Sequence, residues 1–431
     1  MLLNELTLPC TVLTLSDTPK DEEHHSKHGW VRWAEHDFAE IIYIISKRTF
    51  ANACGGFMIK FFDGNTIQEQ YIPQDTEFEP IDSNLADGYI SYYLKHLSLN
   101  YDGLIGSDPE IFATENKQII PAFNFLGSKQ DKKPVGERNH VYWDGFQAEF
   151  DTTANACLAF HCDSVHDGLW LLNNKLKAFN KNAVLDIRPT LDIPKEMLEN
   201  ANNEHVEFGC MPSYNVYGME GIKESGRNVG FRSAGGHIHF GIGQQTHESV
   251  IPLVKALDSI LGVACVSLFA SFDEPRRRTM YGLAGEYRLP KHGMEYRTLS
   301  NAWLMHPALM HIVFDVARQV LAFGRDGLLS AWDASEEEVI HCINTCNVKL
   351  AREILKRNHD VFFAIIKTKY NTKMTQACIK LFLNGAESAF NDLSNIEKNW
   401  HLNDVWSGHS NSPNVQFQSV YEAINNDRKV G

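Results

Sequence analysis

Positive charge is in short supply in this chain of 431 residues: 40 Lys and Arg stand against 54 Asp and Glu, a formal net charge of −14. That balance argues against broad nucleic-acid binding through phosphate neutralisation. A local Arg cluster and metal ions can still set the sign inside one cleft. Cysteine is present but unorganised: nine residues, an odd number, with no C-x-x-C. Cys342 and Cys346 lie four apart on a helical pattern, where they pack rather than ligate. A disulfide framework is not expected, and the setting reads as reducing and cytosolic. The N-terminal stretch MLLNELTLPCTVLTL is apolar but short, lacks a basic region and contains Asn, Glu and Pro. Neither a signal peptide nor a membrane span is expected. There is no internal repeat, no low-complexity tract and no complete Walker A, G-x-G-x-x-G or H-E-x-x-H signature. Lys129 follows Gly-Ser but lacks the earlier glycine at P-loop spacing.

What remains is an ordinary globular balance, 43% hydrophobic and 22% charged, with ample material for a core. The length suggests two or three domains. Residues 1–98 read as a small accessory unit, with a polar loop at 21–28 and helices at 33–50 and 85–97. A hairpin at 56–71 turns around Asp63-Gly64-Asn65. Residues 99–325 read as the catalytic core and 326–431 as a helical region packed on it, ending in a loose polar tail from Ser407. Helical periodicity covers 156–180, with Leu158, Val165, Leu169, Leu172, Leu176 and Phe179 on one stripe. It recurs at 250–269, 308–323, 336–357 and 373–383.

The chemistry sits on short polar strands. In an extended strand, residues i and i+2 share a face. A strand over 106–114 places Asp108 and Glu110 together, with Pro109 tolerable only near its start or on an edge. Over 141–151, Gln147, Glu149 and Asp151 share one face while Phe146, Ala148 and Phe150 take the other; Asp144 precedes them at a Gly turn, as a turn residue or a ligand. In RSAGGHIHFG (232–241), His237 and His239 share a face, compatible with metal binding or with a plain hydrogen-bonding strand. The flanking glycines admit a ligand or a neighbouring backbone. Residues 276–304 hold three consecutive arginines, including Arg276 and Arg277, and two Glu-Tyr-Arg triplets, Glu286 with Arg288 and Glu295 with Arg297. One such triplet alone reads as a cross-strand ion pair. Two of them, beside an Arg run and several acidic strands, read as a site for cations and a polyanion. So many carboxylates on one face repel unless cations sit among them. Oxygen-rich ligation with an occasional His suits Mg²⁺ or Mn²⁺ better than a structural zinc. Arginines beside such ions imply a polyphosphate, hence an ATP-dependent reaction.

RSAGGHIHFG, RRRTMYGLAGEYR and HGMEYRTLSNAWL, with GSDPEIF and DGFQAEFD upstream, resemble the phage phiEco32-like COOH–NH2 ligase type 2 family. The resemblance covers residues 101–310. It implies an amidoligase related to glutamate–cysteine ligase, of α+β class: a glutamine-synthetase-like antiparallel catalytic sheet flanked by helices, with a small N-terminal α/β unit and a helical C-terminal region. It implies ATP and two to three Mg²⁺ or Mn²⁺ ions, and an amide or isopeptide bond formed through an acyl phosphate. Glu110, Glu149, His237 and Glu295 would hold the metals, with Asp108, Asp144, His239 and Glu286 as further ligands. Arg297 and Arg288 would act with Glu295 in catalysis by meeting the phosphate, and Arg276 and Arg277 would meet the nucleotide. The first strand offers Asp-Pro-Glu where those ligases have Glu-x-Glu. Expected partners are a carboxylate and an amine, small-molecule or peptide, with no nucleic acid and no membrane; a homo-oligomer is compatible. A phage-encoded chain would work in the bacterial cytoplasm. Two alternatives stay open: a metal-dependent amidohydrolase, from the H-x-H pair, and a non-catalytic phage scaffold.

Overall fold

The computed structural model describes residues 104–131, 139–152, 154, 158–207, 213–219, 226–367 and 372–403, with three strands among the first hundred residues. Those strands, β1 (Thr11–Thr14), β2 (Gly56–Phe62) and β3 (Ile67–Pro73), form an antiparallel sheet in that order. The β2–β3 hairpin is the one expected, with Phe62 opposite Ile67. Strand β1 was not expected, because its partner β2 lies far along the chain and local pattern carries no trace of the pairing. The loop at 21–28, the helices at 33–50 and 85–97 and the tail from Ser407 fall outside the described residues.

The core sheets use β4 (Leu104–Ser107), β5 (Glu110–Glu115), β6 (Gln118–Ile120), β7 (His140–Asp144), β8 (Gln147–Asp151) and β9 (Val184–Asp186). They continue with β10 (Thr190–Asp192), β11 (Tyr214–Asn215), β12 (Phe231–Ser233), β13 (Ile238–Gly241), β14 (Glu286–Arg288) and β15 (Met294–Tyr296). One sheet has the order β11-β14-β15-β13-β4, and another runs β6-β5-β8-β7 with β9 also on β5. Both are antiparallel throughout. The single strand expected over 106–114 is two strands. Pro109 has no N–H to give a ladder, and across Asp108-Pro109 the chain leaves β13 as a partner and takes up β8. Two-residue turns close the β5–β6 and β7–β8 hairpins, with Asn116 and Lys117 at φ 50 and 68 and Gly145 at φ 62.

Helix α1 (Leu158–Phe179) buries the expected stripe, except that Phe179 is exposed. Gly168 lets α1 lie directly on the back of β8, since a Cβ there would sit 2.3 Å from the Phe150 ring. Helix α2 (His247–Leu268) is long and apolar enough to cross a membrane by length and composition, yet 78% of its apolar window is buried within the protein. Thr246 and Ser249 cap it reciprocally, and residues 257–262 form a π turn. Then come α3 (Pro275–Arg278), α4 (Pro307–Arg325), α5 (Glu336–Asn344), α6 (Val348–Arg357), α7 (His359–Lys367) and α8 (Thr372–Asn384). The one helix expected over 336–357 breaks into α5 and α6. Cys346 takes φ 49 in the break, and the Asn347 side chain caps α6 by accepting the Leu350 N–H. Cys342 and Cys346 are both free thiols and do not share a helix. One continuous apolar core joins Ile105, Phe150, Leu169, Ile260, Phe314, Phe382 and Trp400, so the sheets and the C-terminal helices share an interior. The fold is α+β with antiparallel sheets.

Candidate active site: two acidic groups either side of Pro109

The first group is Glu110, Asp144 and Glu149, whose ligand atoms all lie within 4.8 Å of one another. Glu110 and Glu149 face each other directly across β5 and β8. Asp144 joins them from β7, at the turn whose first residue is Gly145. Each acid is held. Glu110 Oε2 accepts the Gly235 N–H at 2.7 Å and the Gln147 amide at 3.4 Å, and the Tyr281 hydroxyl lies against the same oxygen. The Asn301 side chain anchors the Glu110 carbonyl at 2.9 Å. Glu149 Oε1 accepts the Tyr142 hydroxyl at 2.6 Å and the Lys129 ammonium at 3.1 Å.

The second group, Asp108, His239 and Glu295, meets the same 4.8 Å limit. It is a row across the other sheet: Arg288 lies opposite Glu295, and Glu295 opposite His239. His239 in turn lies opposite Gly106, two residues before Asp108. His237 reaches the same place, its Nδ1 3.4 Å from Glu295 and 3.5 Å from Asp108. Asp108 Oδ1 and His239 Nε2 approach to 3.0 Å with both atoms buried, so the two side chains form a close pair. A carboxylate and an imidazole this close, with Glu295 alongside, could share one divalent cation. The donor set of both groups, five carboxylates and one imidazole, fits a hard cation.

The two groups differ in electrostatics. In the first, burial and the charge of Glu110 push Asp144 up to about 6, against the pull of Lys129, Arg297 and Arg288. Burial, then the charges of Asp108 and Asp144, push Glu149 well above the usual carboxylate range. In the second, burial again raises both carboxyls but is outweighed by neighbouring positive charge. His239 and His237 hold Asp108 well below its ordinary value, and Arg297 with the two histidines lowers Glu295. Asp108 acts on Glu149 and Arg297 acts on Asp144, so the groups are neighbours in one field.

The arginines divide. Arg297 is buried with its Nη1 on Glu295 Oε1 at 2.6 Å, and Arg288 Nη1 lies 3.7 Å from the same oxygen. Arg277, expected at a nucleotide, is fully buried and donates to the carbonyls of Ala234, Thr298 and Leu299 at 3.0, 2.9 and 2.6 Å. Its planar fork ties three backbone segments together. Arg276 pairs with Asp192 at the surface and covers the Phe231 ring. Glu286, expected among the ligands, joins neither group; its carboxylate accepts the Gly282 N–H at 2.8 Å. The two glycines before His237 answer to close neighbours within the fold. A Cβ on Gly235 would strike the His237 ring at 2.4 Å, and one on Gly236 the Trp303 indole at 2.3 Å.

Three residues at the site escaped the sequence reading, and a fourth, Lys129, entered it only as a P-loop candidate. Tyr142 stands two before Asp144 on β7, and the i, i+2 rule would have placed it on the same face. His292, in the turn between the two Glu-Tyr-Arg triplets, sets its Nε2 3.2 Å from His239 Nδ1. Tyr281 and Lys129 lie on loops and arrive through contacts distant in sequence, so no periodic signal marks them.

The sequence model of one family, phage phiEco32-like COOH–NH2 ligase type 2, matches residues 174–402, more than half of the chain. No curated protein matches the chain.

Proposed function

Since the chain belongs to the phage phiEco32-like COOH–NH2 ligase type 2 family, a family of carboxylate–amine ligases, we propose that it joins a carboxylate to an amine using ATP. The observation that carries this reading is the pair of adjoining acidic groups with Arg297 at their junction. Two cation sites beside a guanidinium are the equipment of phosphoryl transfer, where positioning and charge neutralisation do most of the catalysis.

A carboxylate oxygen of the first substrate attacks the γ-phosphorus of ATP. The bond from that phosphorus to the bridging oxygen breaks, and ADP leaves. The amine nitrogen of the second substrate then attacks the carbonyl carbon of the acyl phosphate; phosphate departs with the C–O electron pair, and the nitrogen gives up a proton. Glu110, Asp144 and Glu149 would hold one Mg²⁺ or Mn²⁺, and Asp108, His239 and Glu295, with His237 beside them, a second; a third ion is compatible. Such ions neutralise triphosphate oxygens when bound. Arg297 and Arg288 stabilise the transferring phosphoryl group, and Glu295 orients Arg297. A glutamine-synthetase-like arrangement accords with antiparallel strands that present acids on one side. The substrates are a small-molecule or peptide carboxylate and an amine. The acidic chain engages neither nucleic acid nor membrane, works in the cytoplasm of a bacterial host, and is compatible with a homo-oligomer.

The test is ADP release from the purified chain with Mg²⁺ and a panel of amino-acid and peptide carboxylates and amines. Release that needs the metal and both substrates supports the ligase. Amide hydrolysis without ATP would support a metal-dependent amidohydrolase, and absence of nucleotide binding a scaffold.

A further inference from the structure

We propose that Lys129 is a tethered counter-ion of the first acidic group, displaced from Glu149 by an incoming divalent ion and then turned onto the triphosphate. The second half deepens the ligase reading and rests on it; the first half does not.

Three observations support this. The Lys129 ammonium donates to Glu149 Oε1 at 3.1 Å and lies 4.7 Å over the Tyr142 ring, so a positive charge already occupies one side of the acidic group. The lysine side chain is 55% exposed whereas the Glu149 side chain is 8% exposed, so the ammonium enters from solvent and can leave the same way. The main chain that carries it is fixed. Gly127 O accepts the Trp143 N–H at 3.0 Å, and the Asp131 carboxylate accepts the Ser128 N–H at 2.6 Å. Only the flexible four-carbon stem has to move.

A divalent ion bonded to a Glu149 oxygen at about 2.1 Å would stand within a few ångströms of this ammonium. Two cations at that separation repel in a partly buried site. The ion and Lys129 therefore compete for Glu149, and binding of the ion releases the lysine. Lys129 has a single side-chain hydrogen-bond partner among the described residues. An ammonium has three N–H donors, and a released lysine beside bound metal is a point-charge ligand for phosphate. By contrast, Arg277 is committed to backbone carbonyls, and Arg276 is paired with Asp192.

The experiment compares wild type with Lys129→Met and Lys129→Arg. Mn²⁺ is titrated into the nucleotide-free protein by electron paramagnetic resonance. A non-hydrolysable ATP analogue is then titrated calorimetrically into the Mg²⁺-loaded protein. Far-UV circular dichroism checks the fold, with Lys129→Gln as a second neutral variant. Lys129→Met should bind Mn²⁺ more tightly, on the order of tenfold, and bind the analogue more weakly by a similar factor. Lys129→Arg should stay near wild type in both. Unchanged or weaker Mn²⁺ binding in both neutral variants would overturn the displacement, and unchanged analogue binding would overturn the contact with triphosphate. If wild type binds Mn²⁺ but no analogue, the ligase reading fails and takes the second half with it, while the Mn²⁺ comparison still decides the first.

Discussion

Asp108 and Glu110, with only Pro109 between them, place their carboxylates in two different acidic groups: Asp108 with His239 and Glu295, Glu110 with Asp144 and Glu149. The proline ends the ladder of β4 and starts that of β5, so a step of two residues carries the chain from one sheet to the other. The two candidate cation sites can therefore be separated by mutation.

Asp108→Asn should remove one Mn²⁺ equivalent and leave the other, and Glu110→Gln should do the reverse. Each should weaken its own site at least tenfold to a hundredfold, by the scale known for disturbed metal shells. Mn²⁺ stoichiometry and affinity by electron paramagnetic resonance would show it. Loss of both equivalents from either variant would mean the groups act as one indivisible centre.

Arg297→Lys should lower ligase turnover by about a hundredfold, because a point charge cannot reproduce the planar fork beside a phosphoryl group. The charge beside buried Glu295 is kept, so the fold should survive; Arg297→Ala removes its nearest cationic partner and leaves Arg288 and His237, so it should cost less than the roughly 3–5 kcal/mol of a fully orphaned buried charge. Denaturant melts alongside turnover separate the two effects. A near-normal rate in Arg297→Lys would make this arginine purely structural.

The first acidic group sets a pH dependence whose sign reverses with metal. Asp144 is raised to about 6 and Glu149 is raised as well. Without metal, these acids bind more protons in the folded than in the unfolded chain between about pH 4 and 6. Their contribution to stability is therefore present below the unfolded values and lost as pH rises through the folded ones. Proton and cation compete for the same oxygens, so Mn²⁺ affinity should fall as pH drops below about 6. Melting temperatures at pH 5 and 7.5, with chelator and with Mn²⁺, should shift in opposite directions with pH. The comparison is made in the Asp258→Asn background, because buried Asp258 is itself pushed up to about 7.

Asp258, in the π turn of α2, supports β15 from behind. Its Oδ1 accepts the Tyr296 hydroxyl at 2.7 Å and the Thr298 hydroxyl at 3.1 Å, on either side of Arg297. Asp258→Asn keeps an acceptor and removes a buried charge, so it should be neutral or stabilising at pH 8. Asp258→Leu strands the Tyr296 hydroxyl, while Thr298 keeps the Leu283 carbonyl at 3.1 Å, and should cost about 1–3 kcal/mol. Chemical denaturation of the two variants would check this; equal losses would point to packing at the π turn instead.

Alternation along single strands was enough to put Gln147 with Glu149, His237 with His239 and Glu295 with Arg297, because side-chain direction in an extended strand repeats every second residue. The apolar stripe of α1 and the Gly145 turn could be read for the same reason: their causes lie within a few residues. Tertiary structure alone decided that Asp108 and Glu110 part company at Pro109, since the proline's missing N–H matters only once both neighbouring sheets are known. It also committed Arg277 to three carbonyls and Glu286 to the Gly282 N–H, and it brought Lys129 and Tyr281 onto the acids. A charged side chain in a sequence shows what it can bind; which partner reaches it first is settled by segments far away in the chain.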